Sequence, residues 1–208
     1  MSVYRESACR LCRAERVKLF LKGNKCLTEK CPVERRPYPP GEHGRMRRRI
    51  LGYGIQLREK QKLKRYYSMS ERQFRLFFLR AERKRGITGE NLLQMLERRL
   101  DNVVFLSGFA HSRAHARQLV SHGHFRINDY KVNIPSQLMD VGDVLSFRDK
   151  SKKLDELKAI VEFNKGKIVP GWLEIDRDGM EAKVLSLPRR EEIPFEVEEH
   201  LVVELYSK

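Results

Sequence analysis

The run Ser112-Arg113-Ala114-His115-Ala116-Arg117-Gln118-Leu119-Val120, continuing into His122-Gly123-His124 and Phe125-Arg126-Ile127-Asn128, decides how the chain is read. A serine oxygen satisfies an amide that the first helical turn leaves open, so Ser112 reads as an N-cap, and Gly123 suits the left-handed residue that ends a helix. Arg113 and Arg117 then stand one turn apart on the same face. Phe125-Arg126-Ile127-Asn128 and Lys131-Val132-Asn133-Ile134 flank a turn at Asp129, which predicts a hairpin. Val144-Leu145-Ser146-Phe147, after Gly142-Asp143, predicts a further strand, and Arg98-Arg99-Leu100-Asp101-Asn102-Val103-Val104 a preceding helix. Together these form a small α+β module.

Toward the N-terminus the pattern is helical. Thr88 can cap a helix carrying Leu92, Leu93, Leu96 and Leu100. Ser70 with Gln73 is a capping box, and Phe74, Phe77, Phe78 and Ala81 trace one apolar face, with Gly86 as the stop. Their helical spacing marks these phenylalanines as core. Residues 53–67 predict a basic helix in which Arg58, Lys60, Lys62, Lys64 and Arg65 alternate loosely with Ile55, Leu57, Leu63 and Tyr66.

Charge sets the class of partner. The 208 residues carry a formal net charge of +15, and residues 35–85 alone hold 17 basic against 4 acidic side chains. Residues 86–150 hold 8 against 7 and residues 151–208 hold 10 against 13, so the excess is local. A block of this kind fits phosphate neutralisation, in which each Lys or Arg contact releases a condensed counterion. A merely solvated surface does not need so concentrated a charge. No run of 18 apolar residues is present, and the single tryptophan, Trp172, lies far from the basic block, which argues against a membrane partner. A cytoplasmic chain without a small-molecule substrate is expected.

Between the cysteines and the helices runs Arg35-Arg36-Pro37-Tyr38-Pro39-Pro40-Gly41-Glu42-His43-Gly44. Prolines fix an extended path there, and glycines permit close backbone approach. The candidate RNA contacts of this region are Arg35, Arg36, His43, Arg45, Arg47, Arg48 and Arg49, with Tyr38 available to stack on a base. The basic residues of the 53–67 helix, Arg72, Arg113, Arg117, His122 and His124 complete the set. His122 and His124 serve equally well as capping and packing residues.

All four cysteines fall early: Cys9-Arg10-Leu11-Cys12, then thirteen residues, then Cys26 and Cys31. Disulfides suit secreted chains, and nothing here marks secretion, so two converging pairs read as a tetrahedral thiolate site. Zinc is the first expectation and an iron–sulfur cluster the second. Four protein ligands leave no position for a substrate, so the role is structural, and metal binding is expected to fold this segment.

At the other end, Ser151 can cap a helix carrying Leu154, Leu157, Ile160 and Val161, and Leu201-Val202-Val203-Glu204-Leu205-Tyr206 reads as a strand. Glu191, Glu192, Glu196, Glu198 and Glu199 make this part acidic and unsuited to phosphate. Four regions follow: residues 1–44, a four-cysteine segment and linker; 45–97, a basic helical domain; 98–161, the α+β module; and 162–208, an acidic segment ending in a strand.

Arg99-Leu100-Asp101-Asn102-Val103-Val104, the Ser112 to His124 run, the following hairpin and the Gly142-Asp143 turn resemble the S-four RNA-binding domain, which pseudouridine synthases and a heat-shock ribosome-binding protein share. Arg35 to Gly44, Leu57-Arg58-Glu59-Lys60-Gln61-Lys62-Leu63, Ser70-Glu71-Arg72-Gln73-Phe74 and Leu205-Tyr206-Ser207-Lys208 extend the resemblance over the whole length, to the S-four family of bacterial ribosomal proteins. Some members of that family carry an N-terminal zinc site. The resemblance implies that the module is inserted and that the C-terminal tail returns to pack on the helical domain, its acids facing basic neighbouring small-subunit ribosomal proteins. It also implies a structural constituent of the small subunit that binds ribosomal RNA early in assembly. The arginines at 45–49 would then lie near messenger RNA at the mouth of its channel and influence decoding accuracy.

That family commonly has Asn-Gly where this chain has Asn128-Asp129, and Asp takes positive φ less readily, so a longer or different turn is expected. Two other functions fit parts of the chain. An RNA-modifying enzyme would use the same module, but no nucleophile elbow, phosphate-binding glycine loop or open metal site is left to supply catalysis. A zinc-dependent DNA-binding regulator accounts for the cysteines and charge but not for the module.

Overall fold

The computed structural model describes residues 7–46 and 51–207. The chain divides into two compact units, one made of Met1–Leu92 with Phe195–Lys208 and the other of Leu93–Pro194. The first unit is helical. It holds α1 (Ala8–Glu15), a short α2 (Pro32–Arg35), α3 (Gly52–Tyr66), α4 (Glu71–Glu82) and the start of α5 (Thr88–Glu97). Ser70 caps α4, its Oγ accepting from the Gln73 amide at 3.4 Å. Phe74, Phe77, Phe78 and Ala81 all turn inward, as their spacing requires. The helix ends at Glu82, four residues before Gly86, which instead lies in the link to α5 at φ +107°.

The second unit begins within α5 and continues through α6 (Leu100–Leu106) and α7 (Arg113–Ser121). Three strands follow: β1 (Phe125–Ile127), β2 (Tyr130–Val132) and β3 (Val144–Phe147). Then come α8 (Asp149–Lys152), α9 (Asp155–Phe163), β4 (Leu173–Asp176) and β5 (Glu181–Val184). The strands make one antiparallel sheet in the order β2-β1-β3-β5-β4. Its core joins Leu100, Val103 and Val104 of α6, Ala116, Leu119 and Val120 of α7 and Leu157, Ile160 and Val161 of α9 to Phe125, Leu145, Phe147 and Trp172. This is the expected α+β class, helices gathered on an antiparallel sheet.

Four local expectations are corrected. The terminal run Leu201 to Tyr206 is not a strand but part of α10 (Glu199–Tyr206). Its β-branched residues favour a strand locally, yet the apolar side chains fall at helical spacing and pack on α3, and tertiary packing outweighs propensity. Tyr66 stacks on Phe195 at 3.9 Å between centroids, and Phe78 on Tyr206 at 4.5 Å. Residues 162–194 are not part of a separate acidic tail, because β5 pairs with β3 and extends the sheet. Ser151 does not cap a helix but sits buried inside α8, while Leu154 occupies the N-cap position of α9.

The Asn128-Asp129 turn is not lengthened. Ile127 pairs directly with Tyr130, and Asn128 and Asp129 both take positive φ, 47° and 70°, the arrangement of a two-residue type I′ hairpin. Asn128 anchors it: its Oδ1 accepts from the Val144 amide at 2.9 Å and its Nδ2 donates to Asp143 at 2.7 Å. Those two bonds hold the conformation that Asp alone disfavours.

Candidate nucleic-acid interface

The first unit opens with the cysteines. Cys12, Cys26 and Cys31 are buried, Cys9 half-buried, and none is oxidised. The Lys22 amide donates to Cys26 Sγ at 3.4 Å, and the Leu19 backbone bonds Cys12. Burial pushes both thiols up, and the charges of the other cysteines add to the effect, so the four sulfurs share one neighbourhood. Four soft donors, two of them bonded to backbone groups, are the ligand type that a thiolate-bound metal takes, but not its arrangement. Among the described residues, no three His, Cys, Asp or Glu side chains converge at metal-ligand spacing.

From the same helix, Arg13 reaches the proline segment. Its Nε donates to the Arg36 carbonyl at 3.2 Å and to the Tyr38 carbonyl at 3.0 Å, and its Nη2 reaches Pro39 O at 3.5 Å. Tyr38 is not free to stack on a base as expected. The guanidinium carbons of Arg13 and Arg45 each sit 5.1 Å from its ring centroid, so cation–π contacts already use the ring. A Cβ at Gly44 would lie 2.0 Å from the Pro39 carbonyl oxygen, which makes glycine obligatory in this tight return. Arg35, Arg36, His43 and Arg45 are exposed. Arg47, Arg48 and Arg49 lie outside the described residues.

On α3 the basic side chains hold the fold's own carboxylates. Arg65 pairs with Glu15, and Arg58 approaches the same oxygen at 3.4 Å. Lys62 lies 3.3 Å from Glu59, and Lys60 and Lys64 lie 2.6 and 2.9 Å from Glu71. Burial alone would raise the Glu71 carboxyl, but those two hydrogen bonds outweigh it and hold the group at about 2. Lys60 is itself buried, 5.8 Å from the Tyr206 centroid, and so serves packing rather than a ligand. Arg72 is exposed on α4.

In the second unit the same division appears. Ser112 caps α7 by accepting from the His115 amide at 3.3 Å, and Gly123 closes it at φ +72°. Arg113 is only 5% exposed; its Nε donates to Asn102 at 2.8 Å and its guanidinium lies 4.6 Å over Phe105. Arg117 bonds Asp101 at 2.7 Å, and Asp101 also receives Arg99 at 2.7 Å. Arg113, offered above as an RNA contact, is thus a strut between α6 and α7, and Arg117 is largely one. The outward face of α7 is instead Ala114 and Gln118, flanked by exposed His111 and His122.

A Cβ at Gly123 would meet Lys131 Cε at 2.9 Å, so the Lys131 stem crosses the end of α7. That brings Lys131 to the stretch between His122 and His124, while Tyr130, its neighbour on β2, is 79% exposed. His124 shares a 3.0 Å hydrogen bond with Ser151, and burial, with His122 and Arg148 nearby, pushes it down.

Comparison with known proteins gives two adjoining family matches: the ribosomal protein S4/S9 N-terminal domain over residues 3–97 and the S4 domain over residues 98–145. The small ribosomal subunit protein uS4 of Thermoanaerobacter sp. (strain X514) is 58% identical over 208 residues, all of both chains. The chain belongs to the uS4 family. Other uS4 proteins match over the same full length, that of Caldicellulosiruptor saccharolyticus at 55% and that of Pelotomaculum thermopropionicum at 52% identity.

In this uS4-family chain, the candidate contacts read from the sequence leave out several exposed residues. Arg75, Arg80, Arg83, Lys84 and Arg85 are exposed on or just after α4, as are Tyr130 and Lys131 on the hairpin. The signal for the arginines was present, since positions opposite the Phe74 to Ala81 face must point outward. That for Lys131 was not, because it depends on the stem crossing Gly123.

Proposed function

We propose that the chain is a non-catalytic structural constituent of the small ribosomal subunit that binds ribosomal RNA and nucleates assembly in the cytoplasm. The carrying observation is the full-length agreement with proteins named as small-subunit uS4, 58% identical in the first case. The exposed arginines of α4 and the exposed His122, Tyr130 and Lys131 of the second unit support it, as phosphate-positioning and base-reading equipment respectively. Basic neighbouring proteins are the partners of the acidic stretch around residues 191–199. Messenger RNA at the mouth of its channel is the partner of Arg45 and Arg47 to Arg49, through which the chain influences decoding accuracy. The test compares affinity for small-subunit RNA with that for duplex DNA at matched salt. RNA should bind more tightly, and tighter DNA binding would favour the regulator instead.

The cysteine site is proposed to hold zinc, with an iron–sulfur cluster as the competing occupant. Cys9, Cys12, Cys26 and Cys31 would ligate the ion, which supplies no chemistry beyond cross-linking. Its consequence lies in Arg13, next to Cys12, which carries the proline segment. Elemental analysis should find one zinc per chain, and chelation should raise hydrogen exchange across residues 7–46. Stoichiometric metal in a Cys12→Ser, Cys26→Ser double variant, or a coloured iron-containing protein, would exclude this assignment.

A further inference from the structure

A cleft of about 490 Å³ opens in the first unit between α1, the proline return and α3, lined by Arg16, Pro39, Pro40, His43, Met46 and Arg58 among others. Its size falls in the range that receives a small planar ligand. Two prolines and Met46 supply flat apolar wall, while Arg16 supplies positive charge together with Arg58, which also approaches Glu15 at 3.4 Å. Glu42 is the one acidic residue among the described lining residues.

The walls are preformed. Arg13 pins the carbonyls of residues 36, 38 and 39 from α1, and the Gly44 backbone seats against Pro39. A second observation concerns Arg16 itself. It occupies the left-handed C-cap of α1, φ 58°, where glycine is the least strained choice. A long cationic side chain therefore lines the cleft from a position that carries a conformational cost.

We propose that this cleft takes one unstacked nucleotide of the bound RNA. The inference rests on the RNA-binding reading above and adds a site to it. A nucleotide joins a flat ring, a hydrogen-bonding edge and a phosphate, the three chemistries this lining offers. The ring lies against Pro39, Pro40 and Met46, and the phosphate meets Arg16 and Arg58. Glu42, an acceptor, favours a base edge with N–H donors, guanine foremost because it presents two side by side. The cleft therefore selects an unpaired nucleotide where phosphate contacts alone select nothing.

The experiment uses full-length protein and small-subunit RNA probed at base edges with kethoxal and dimethyl sulfate. Three proteins are compared: the parent, Ala14→Phe, which fills the cleft from α1, and Arg16→Gly, which removes the cation and relieves the backbone. The parent should protect one unpaired nucleotide that both variants leave reactive, while the remaining footprint persists. Ala14→Phe should weaken binding about tenfold, the effect of losing one stacked base. Arg16→Gly should melt no lower than the parent yet bind more weakly, with the salt slope reduced by about 0.7, as for one single-strand phosphate. A purely structural Arg16 would not separate stability from affinity in this way. Unchanged protection and affinity in both variants overturns the proposal and leaves RNA binding standing; failure of the parent to bind the RNA overturns both.

Discussion

Lys167 is the residue whose surroundings least resemble those of a lysine. Its Nζ lies 2.5 Å from the Phe105 carbonyl oxygen and 3.4 Å from the centroid of the Phe105 ring. Burial, helped by the positive Arg113 nearby, lowers it to about 7. Unfolded, the group titrates near 10.5. Between those values the unfolded chain binds a proton that the folded chain does not, so stability rises with pH across that window. Urea midpoints should climb between pH 7 and pH 10 in the parent more steeply than in Lys167→Met, which keeps the stem on Phe105. Parallel profiles would show that the amine stays charged in the fold.

Among the elements, the β1–β2 hairpin gives the sharpest prediction, because its turn holds an aspartate where φ is +70°. Asp129→Gly should remove that penalty and stabilise the second unit by about 0.5–1 kcal/mol, less the entropy glycine brings. Asn128→Ala should destabilise it by about 1–2 kcal/mol, since it strips the Val144 amide of its acceptor and leaves alanine at positive φ. Thermal melts of both variants check the signs. Elements of this kind, built from local rules, were legible in the sequence: the α4 face, the Ser112 and Gly123 ends of α7, and the three strands after residue 124. What was not legible depends on residues distant in sequence. Glu15 meets Arg65 and Glu71 meets Tyr206, 50 and 135 positions away. No local pattern distinguishes an arginine bound to such a partner from one awaiting phosphate, which is why Arg65 and Arg113 were both counted as contacts. The α10 helix was missed for the same reason, its partner α3 lying at the far end of the chain.

For the whole molecule, the decisive fact is that the first unit is closed by the last residues, with Phe195, Val197 and Val202 buried in it. Polar contacts add register: Gln56 donates to Glu204 at 2.7 Å, and the Glu198 amide to Glu59 at 3.2 Å. At about 1.5–3 kcal/mol per large apolar side chain, the three buried residues contribute on the order of 5 kcal/mol, comparable to the entire margin of a small domain. Removing residues 195–208 should therefore abolish slow hydrogen exchange across residues 52–82 while leaving residues 100–184 protected. Equal loss in both stretches would mean that the units do not fold independently.

The same closure imposes a schedule on synthesis. Roughly a hundred residues, Leu93–Pro194, are made after the α3 and α4 faces emerge and before Phe195 does. At about 5–20 residues per second this leaves Tyr66, Phe74 and Phe78 uncovered for roughly 5–20 s in every newborn chain. Throughout that interval an uncovered aromatic face coexists with the basic stretch of residues 35–85. Any polyanion or chaperone that reaches the nascent chain first meets a partner that the finished molecule no longer presents.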